Sequence, residues 1–369
     1  MFLFRKQHID PDEFLKRENN NFDLIRLVGA IAVIFSHTYA IAWVDFGADP
    51  LQSFSHYKLA VGVPFLYMFF FLSGFLVSRS FINRKSTWEY LQKRGLRILP
   101  AILVMVPLLM LVIGPIFNEL SPLEYYSQRH TWGFLRNISL YWLQPTLPGI
   151  FAENPDPYLA NTNLWTIALE VTWYGLTALM GILAIFRHRW ALISLFFICY
   201  GTMLIATDWM VSVDIPLLGI ELKPFIRVGI YYSAGMVFYS YRAFFLRLNP
   251  VILLFLTPLW FVSIAYDLSD WTTPLFIPIF TILIATIPLL WSKKVTRLGD
   301  PSYGMYIWGV PLQQMVVAMF GTNWFVAFFV TILLAYLLGL ASWWWVEKPA
   351  LGLRSKDLFL WLGKSHDRV

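Results

Sequence analysis

The chain has 369 residues, of which 58% are hydrophobic and only 14% are charged. A soluble domain carries about 25% charged residues, so this chain has too little polar surface to fold as a globule in water. Its net charge is +6, but basic residues are expected in the cytoplasmic loops of a membrane protein, so this charge does not indicate nucleic-acid binding. Its single cysteine excludes an internal disulfide and a cysteine-based metal site.

The first 23 residues are polar and charged and lack the apolar run and cleavage site of a signal peptide. Ten segments then approach the roughly 20 apolar residues that span a bilayer. They are Leu24–Trp43, Val61–Phe81, Ile98–Phe117, Leu164–Phe186, Trp190–Thr207, Phe225–Tyr241, Val251–Asp267, Pro274–Trp291, Tyr303–Phe320 and Trp324–Val346. The predicted fold is an all-α integral membrane protein with about ten transmembrane helices, formed by residues 24–348 between tails 1–23 and 349–369.

The basic residues favour one orientation of these segments. If the N-terminus is cytoplasmic, most of the 28 Lys and Arg residues fall in inner loops and tails. The outer segments keep Lys58, Arg129, Arg136, Lys223 and Arg227. Because basic residues accumulate on the cytoplasmic side, this pattern predicts that both termini are cytoplasmic.

The first apolar segment contains two ionisable residues, Arg26 and His37. They are 11 positions apart, which places them within about 20° of the same helix face and about 17 Å apart along the axis. Ionisable residues inside lipid are costly and mark functional sites, and an imidazole suits proton transfer near neutral pH. The alternative is a structural histidine and an arginine that binds lipid headgroups.

The loop between the second and third segments contains Lys93, Arg94 and Arg97. Arg94 and Arg97 are three positions apart and therefore share one face of a helix. Guanidinium groups match phosphate geometry, so this face is a candidate site for a phosphorylated cofactor. The alternative is a basic loop that only sets the topology.

The longest outer segment runs from Asn118 to Asn163. Its apolar part, Trp132–Leu143, is too short to span, which predicts a re-entrant or interfacial helix. Four prolines follow, at positions 145, 148, 155 and 157, and favour an irregular stretch. A loop of this length is often functional, although a passive cover is the alternative.

The fourth apolar segment contains a carboxylate, Glu170. It lies about 9 Å from the outer end of its helix, and His37 lies about 13 Å from the same side of a core about 30 Å thick. A carboxylate at that depth is expected to orient the imidazole of His37, as in a catalytic dyad. The alternative is a protonated glutamate in a hydrogen bond between helices.

Other patterns are absent or minor. The sequence has no P-loop, no dinucleotide-binding glycine motif, no His-Glu-x-x-His and no Gly-x-Ser-x-Gly. Its six histidines show no metal-binding spacing, so no metal site is expected. In the C-terminal tail, Leu358–Leu362 is predicted to lie on the inner membrane surface.

Several of these stretches together resemble the membrane-bound acyltransferase family 3, whose bacterial members O-acylate surface sugars. The matching stretches are Asn20–Arg26 leading to His37, Phe69–Phe75, Lys93–Pro100, Leu147–Phe151 with Asn154 and Pro155, Asn163–Thr166 with Glu170, Leu298–Trp308 and Glu347–Pro349. Position 93 is Lys where the family often has Arg, and position 309 is Gly where many members have His. Each stretch is weak alone, but together they run in order from Asn20 to Pro349.

The resemblance implies an O-acyltransferase of the bacterial inner membrane. The donor would be cytoplasmic acyl-CoA, most often acetyl-CoA, and the acceptor a hydroxyl of an extracytoplasmic glycan or glycolipid. The implied roles are catalysis by His37 and Glu170, donor binding by Arg26, Lys93, Arg94 and Arg97, and acceptor binding by Asn163, Trp165 and Tyr303.

Three alternatives stay open from the sequence. The acyl group could be succinyl or longer. The chain could be a transporter of glycans or organic acids, with Arg26 and His37 on the pathway. The chain could also be a membrane scaffold that catalyses no reaction, but that role would not explain why His37 and Glu170 lie inside the membrane.

Overall fold

The computed structural model describes residues 10–42, 48–82, 86–205, 213–215, 218–289 and 297–353. Within them, the predicted apolar segments correspond to long helices, labelled here in chain order. They are α1 (Phe22–Ala42), α2 (Gly62–Ile82), α3 (Thr87–Leu108), α4 (Leu164–Ile182), α5 (Arg189–Ile205), α6 (Leu222–Ser240), α7 (Leu253–Ala265), α8 (Ser269–Thr286), α9 (Ser302–Phe320) and α10 (Trp324–Ser342). The fold is therefore mostly helical, as predicted.

Shorter elements connect and extend these helices. Short helices are Pro11–Phe14, Pro50–Phe54, Gly114–Ile116, Pro122–Ser127, Arg129–Gly133, Arg242–Phe245 and Lys348–Gly352. The 3-10 turns are Arg17–Asn19, Phe134–Ser139, Ile185–Arg187 and Pro250–Ile252, and two π-helical turns are Leu109–Ile113 and Trp343–Glu347. Two short strands, Asp214–Ile215 and Ile220–Glu221, pair antiparallel.

Five helices are long and apolar enough to cross a membrane. In the described part of the chain they are Phe22–Ala42, Gly62–Ile82, Thr87–Ile116, Ser269–Thr286 and Trp324–Gly352. The protein is therefore a membrane protein. A total of ten spans, the orientation of the termini and the two tails stay predictions. The Leu358–Leu362 stretch lies outside the described residues.

Helix α2 is at the centre of the bundle and packs against α1, α4, α6 and α8. It crosses α6 in backbone contact, because a Cβ on Gly74 would lie 1.9 Å from the carbonyl oxygen of Tyr232. A Cβ on Gly235 would likewise lie 2.2 Å from the carbonyl oxygen of Phe71. Two glycines therefore fix how α2 and α6 cross, as small residues do between membrane helices.

A second close crossing joins α9 to α10. A Cβ on Gly304 would lie 2.7 Å from the Cα atom of Gly339, so no larger residue fits at position 304. Helix α1 packs against both of these helices as well as against α2. It is held at its start by Asn21, whose side-chain amide donates to the carbonyl oxygens of Ile284 and Ile287 at 2.9 and 2.7 Å.

The orientation of α1 and α2 defines two ends of the bundle. Gly62, at the start of α2, donates its backbone N–H to the hydroxyl of Ser36 near the end of α1. The two helices are therefore antiparallel. The end that contains Arg26, Arg94 and Ile82 is called the Arg94 end, and the end that contains His37 and Gly62 is called the His37 end.

The long segment 118–163 does not contain one continuous helix over Trp132–Leu143. The short helix Arg129–Gly133 gives way to a 3-10 turn, which ends where Leu140 adopts φ 63°. Asn137 and Gln144 close this loop, since the Asn137 amide donates to the Gln144 carbonyl and accepts from the Gln144 N–H, both at 2.8 Å. These side-chain bonds compete successfully with helix formation, and the re-entrant or interfacial position stays a prediction.

Candidate active site

A basic cavity of about 560 Å³ opens at the Arg94 end. Its wall is formed by α1, α2, α3 and the loop that precedes α9. All four residues predicted to bind a donor line it: Arg26, Lys93, Arg94 and Arg97. The cations come from two helices far apart in the sequence and are brought together by the tertiary fold, while their role in binding a donor stays a prediction.

A narrower cavity of about 130 Å³ continues from it toward the middle of the bundle. The two cavities share Arg26, Leu76, Arg94 and Arg97 as a common wall. Deeper inside, the lining is mainly apolar and aromatic. Its members include Leu66, Phe69, Phe70, Ile167, Glu170, Tyr303 and Tyr306. A charged entrance thus leads to an apolar interior.

Glu170 is the carboxylate of this inner cavity. It accepts hydrogen bonds from the hydroxyls of Ser73 and Tyr174, the latter at 2.5 Å. Ser73 lies 11 residues after Gly62 along α2, about 16 Å from the His37 end of that helix. Glu170 therefore lies near the depth of Arg26, and the expected pairing of Glu170 with His37 is not formed in this structure.

Arg94 is the cation with the fewest partners at the entrance. Its guanidinium lies over the ring of Tyr174, 5.7 Å from the centroid, and one terminal nitrogen contacts Ser80 at 3.4 Å. Its Nε is buried and has no hydrogen-bond partner. A buried donor without an acceptor is costly, so this nitrogen fits a ligand that brings an acceptor oxygen.

Arg97, one turn further along α3, is fully engaged. It binds Asp300 at 2.6 Å and Glu347 at 3.3 Å, and both carboxylates are buried. Burial alone would raise the pKa of Asp300, but the charge of Arg97, assisted by Arg26 and the Ser302 hydroxyl, holds that pKa well below its usual range. Arg97 thus ties α3 to the start of α9 and to the end of α10.

The other two predicted donor ligands are also paired. Lys93 is buried and forms an ion pair with Glu89, one turn earlier on α3. Arg26 contacts Asp23 at 3.4 Å, a distance that makes the contact weak. Of the four cations, Arg26 and Arg94 are therefore the freer ones.

His37 lies at the opposite end of the bundle. On α1, Ser36 and Gly29 face α2, whereas Ile34 and Thr38 face α9. The face shared by Arg26 and His37 falls between these two directions and so points into the bundle. His37 is half-buried and, within the described residues, makes no side-chain hydrogen bond.

The inner cavity ends about one helical turn below His37. Its outermost lining residue on α2 is Leu66, four positions after Gly62, or about 6 Å along the helix. Phe69 and Tyr306 meet edge to face at this end, and the Tyr306 hydroxyl bonds to Thr166 at 2.5 Å. These three residues, which line the inner cavity, are called the closing layer.

The residues predicted to bind the acceptor are in three different settings. Asn163 is buried and donates its amide to the Tyr306 carbonyl at 2.7 Å, next to the closing layer. Trp165 is 41% exposed on the outside of α4 and does not line either cavity. Tyr303 lines the inner cavity and donates to the Ile98 carbonyl at 2.9 Å.

Several cavity residues received no role from the sequence. Ser73, Tyr174 and Tyr306 carry hydroxyls into an otherwise apolar space. Tyr174 has a local signal, because it follows Glu170 by one helical turn. Asp300 and Glu347 are the partners of Arg97, and they lie in stretches that carry the family resemblance but received no role of their own. Within the described part of the chain, no group of three or more His, Cys, Asp or Glu residues could hold a metal ion.

Comparison with known proteins gives a consistent result. The family model described as acyltransferase domain matches residues 19–347. The chain is 28% identical to nodulation protein 10 of Rhizobium leguminosarum bv. viciae, over 93% of this chain and 96% of that protein. It is 27% identical to an O-acetyl transferase of Shigella phage Sf6, over 93% of this chain and 99% of the phage protein. No solved structure matches the chain.

Proposed function

The chain belongs to acyltransferase family 3 and is an acyltransferase, and from this premise we propose that it is a transmembrane O-acetyltransferase. It transfers an acetyl group from acetyl-CoA, bound at the Arg94 end, to a hydroxyl of a glycan or glycolipid that enters from the His37 end. The Arg94 end is then cytoplasmic, in the inner membrane of a bacterium. The observation that carries this proposal is the basic cavity that leads into an apolar one.

The shape and charge of the two cavities fit an acyl-CoA donor. The phosphates of the donor require cations, and Arg94 offers a buried Nε without a partner beside Arg26. The pantetheine arm and acyl group are less polar and require a narrow apolar space, which the inner cavity provides. In this arrangement Arg97 and Lys93 contribute positive charge but keep their carboxylate partners.

His37 is the proposed general base. Its imidazole takes the proton from the acceptor hydroxyl, and the hydroxyl oxygen attacks the thioester carbonyl carbon. The new C–O bond forms, the C–S bond breaks, and the CoA thiolate leaves and is protonated. Glu170 lies too deep to orient His37 directly, so we assign it to the donor side, where it holds the Ser73 and Tyr174 hydroxyls in place.

His37 does not line the inner cavity in this structure, and the closing layer lies on the side of that cavity that faces the His37 end. Acyl transfer therefore requires Phe69, Tyr306 and Thr166 to open, which lets the acyl group reach the His37 end. Such a closed layer also protects the thioester from water before an acceptor binds.

The acetyl group is favoured because the similar phage protein is named an O-acetyl transferase. Its small size also fits the inner cavity of about 130 Å³. The glycan acceptor follows from the resemblance of the sequence to enzymes that modify surface sugars. Nothing in the described residues favours transport of a glycan or organic acid.

The decisive experiment measures acyl transfer by the purified chain in liposomes with [14C]acetyl-CoA and extracted cell-surface glycans. His37→Ala is expected to abolish labelling of the glycan, because the change removes the proposed general base. The matched control is His130→Ala, in the outer segment and exposed, which should retain full labelling. Labelling by His37→Ala at the wild-type rate would refute the role of His37, and no turnover of acetyl-CoA by the wild type would refute the proposed function.

A further inference from the structure

A third cavity, of about 260 Å³, lies at the His37 end on the far side of α2 from His37. It is formed where α6 and α8 begin, beside the first turns of α2. Its charged lining residues are Lys223, Arg227 and Asp270. None of the roles assigned above involves this cavity, which is called the α6–α8 cavity below.

The two cations of the α6–α8 cavity have no carboxylate partner within the part of the chain that the structure describes. Among the described residues, neither Lys223 nor Arg227 forms an ion pair, although Asp270 lines the same cavity. Asp270 is thus more than 4 Å from both cations, and the neutral hydroxyl of Tyr67 is the group close to Arg227. A ligand with an anionic group would supply the negative charge that these cations lack.

An independent observation points to a ligand. The hydroxyl of Ser269 is buried, with the residue 1% exposed, and has no hydrogen-bond partner. Ser269 lines the cavity at the first residue of α8. Buried polar groups are normally satisfied, so this hydroxyl is available to a bound molecule.

The wall of the cavity is rigid. Tyr67 and Tyr231 stack with their ring centroids 4.0 Å apart, and both are buried. An ion pair between Lys58 and Asp267, at 2.6 Å, ties the segment before α2 to the turn before α8. A preformed wall reduces the entropy that is lost when a ligand binds.

The mixture of charges selects the class of ligand. Two cations and one carboxylate leave a single net positive charge, which suits a monoanion. Asp270 would repel a phosphate, whereas it accepts hydrogen bonds from hydroxyl groups. A ligand with one carboxylate and several hydroxyls satisfies Arg227, Lys223, Asp270 and Ser269 together.

We propose that the α6–α8 cavity binds one acidic sugar residue, a uronic acid, of the acceptor glycan. The role of the α6–α8 cavity as an acceptor subsite rests on the proposed function, but the binding of a uronate to this cavity does not. A helix with its side chains is about 10–12 Å wide, so a neighbouring sugar of the same chain can reach over the end of α2 to His37. The cavity therefore selects an acidic oligosaccharide over a neutral one.

The experiment measures binding of glucuronate, glucose and inorganic phosphate to the full chain in phosphatidylcholine nanodiscs, by saturation-transfer NMR or calorimetry. Glucuronate is expected to bind at least about tenfold more tightly than glucose. Arg227→Gln should weaken it by about tenfold or more, the loss expected for one charge-assisted hydrogen bond. The matched control is Arg129→Gln, an exposed cation of the outer segment, which should bind glucuronate as the wild type does.

Each remaining outcome decides the question. Equal binding of glucuronate and glucose, tighter binding of phosphate, or unchanged binding in Arg227→Gln would overturn the uronate site. Arg227→Lys, which keeps the charge, should recover part of the affinity and thereby exclude simple misfolding of Arg227→Gln. Acetyl-CoA turnover, measured on the same samples, separates the two proposals: turnover without glucuronate binding removes only the subsite, and glucuronate binding without turnover removes only the proposed function.

Discussion

Arg94 and Arg97 lie one turn apart on α3 and carry the same charge, yet their surroundings differ. Arg97 has two buried carboxylates within 4 Å, Asp300 and Glu347. Arg94 has the face of Tyr174, a long contact with Ser80 and a buried nitrogen without a partner. The first environment is complete within the protein, whereas the second leaves the Nε of Arg94 without a partner, which fits the proposed donor.

The comparison teaches that a basic motif is not one functional unit. Arg97 joins three parts of the chain and holds the wall of the basic cavity in shape. Arg94 belongs to the same wall, and it lines the cavity with a buried Nε that has no partner in the protein. The spacing in the sequence placed the two arginines on one helix face. Only their partners in the structure favour a structural role for Arg97 and the proposed binding role for Arg94.

The largest effect is expected from Arg97→Ala. The change leaves Asp300 and Glu347 buried without a cation, which costs about 3–5 kcal/mol in the free energy of unfolding. The apparent unfolding temperature, measured by tryptophan fluorescence in detergent, should fall by about 10 °C. The matched control is Arg189→Ala, whose arginine lies over the ring of Tyr241 at 5.3 Å but has no ion pair in the described residues. A loss in Arg97→Ala no larger than in Arg189→Ala would show that the ion pairs of Arg97 do not stabilise the fold.

A smaller and different effect is expected from Arg94→Gln. The change removes a cation whose buried Nε has no partner in the protein, so stability should change by less than about 0.5 kcal/mol. The KM for acetyl-CoA should rise about tenfold with little change in kcat, because a contact to the phosphates is the same in the ground and transition states. Arg247→Gln, an exposed arginine at the same end of the bundle, is the control and should keep the wild-type KM. An unchanged KM in Arg94→Gln would remove Arg94 from the donor site.

The smallest effect is expected from Tyr174→Phe. The ring beneath Arg94 stays, and the hydroxyl loses its hydrogen bond to Glu170 and a long contact with Ser73, at a cost of about 1 kcal/mol. The KM for acetyl-CoA should stay within about twofold of the wild-type value in the same assay. A tenfold rise in this KM would instead mean that the hydrogen bonds of Glu170 hold Arg94 in position. Both arginines would then be held in place by carboxylates.

Periodicity and composition were sufficient for several features. The apolar segments predicted helices at the places where the structure has them, because the length of such a run and its lack of charge are local properties. The shared face of Arg26 and His37 also followed, since 11 residues return to nearly the same direction on any α-helix. The position of Lys93, Arg94 and Arg97 at one end of the bundle also followed, because they directly precede the apolar segment that begins at Ile98.

The depth of one helix against another was not accessible in this way. Glu170 was expected beside His37 from distances counted along two separate helices, but it bonds to Ser73, which is 97 positions away in the sequence. Counting along each helix separately does not show how deep that helix begins in the bundle, and the catalytic role of Glu170 stays a prediction. In the same way, the sequence predicted one short helix over Trp132–Leu143, where hydrogen bonds between Asn137 and Gln144 close a loop.

By itself, the sequence determined the all-helical membrane class, the acyltransferase family and the face that connects Arg26 to His37. Only the tertiary structure decided that Arg97 is paired with carboxylates while the Nε of Arg94 has no partner, and that Glu170 lines the inner cavity. The partners of Arg97 lie 203 and 250 positions away, at the ends of helices whose packing is fixed by close contacts such as Gly304 on Gly339. Such contacts set how far each helix slides along its neighbour, and this displacement is not encoded in the spacing of residues along any one helix.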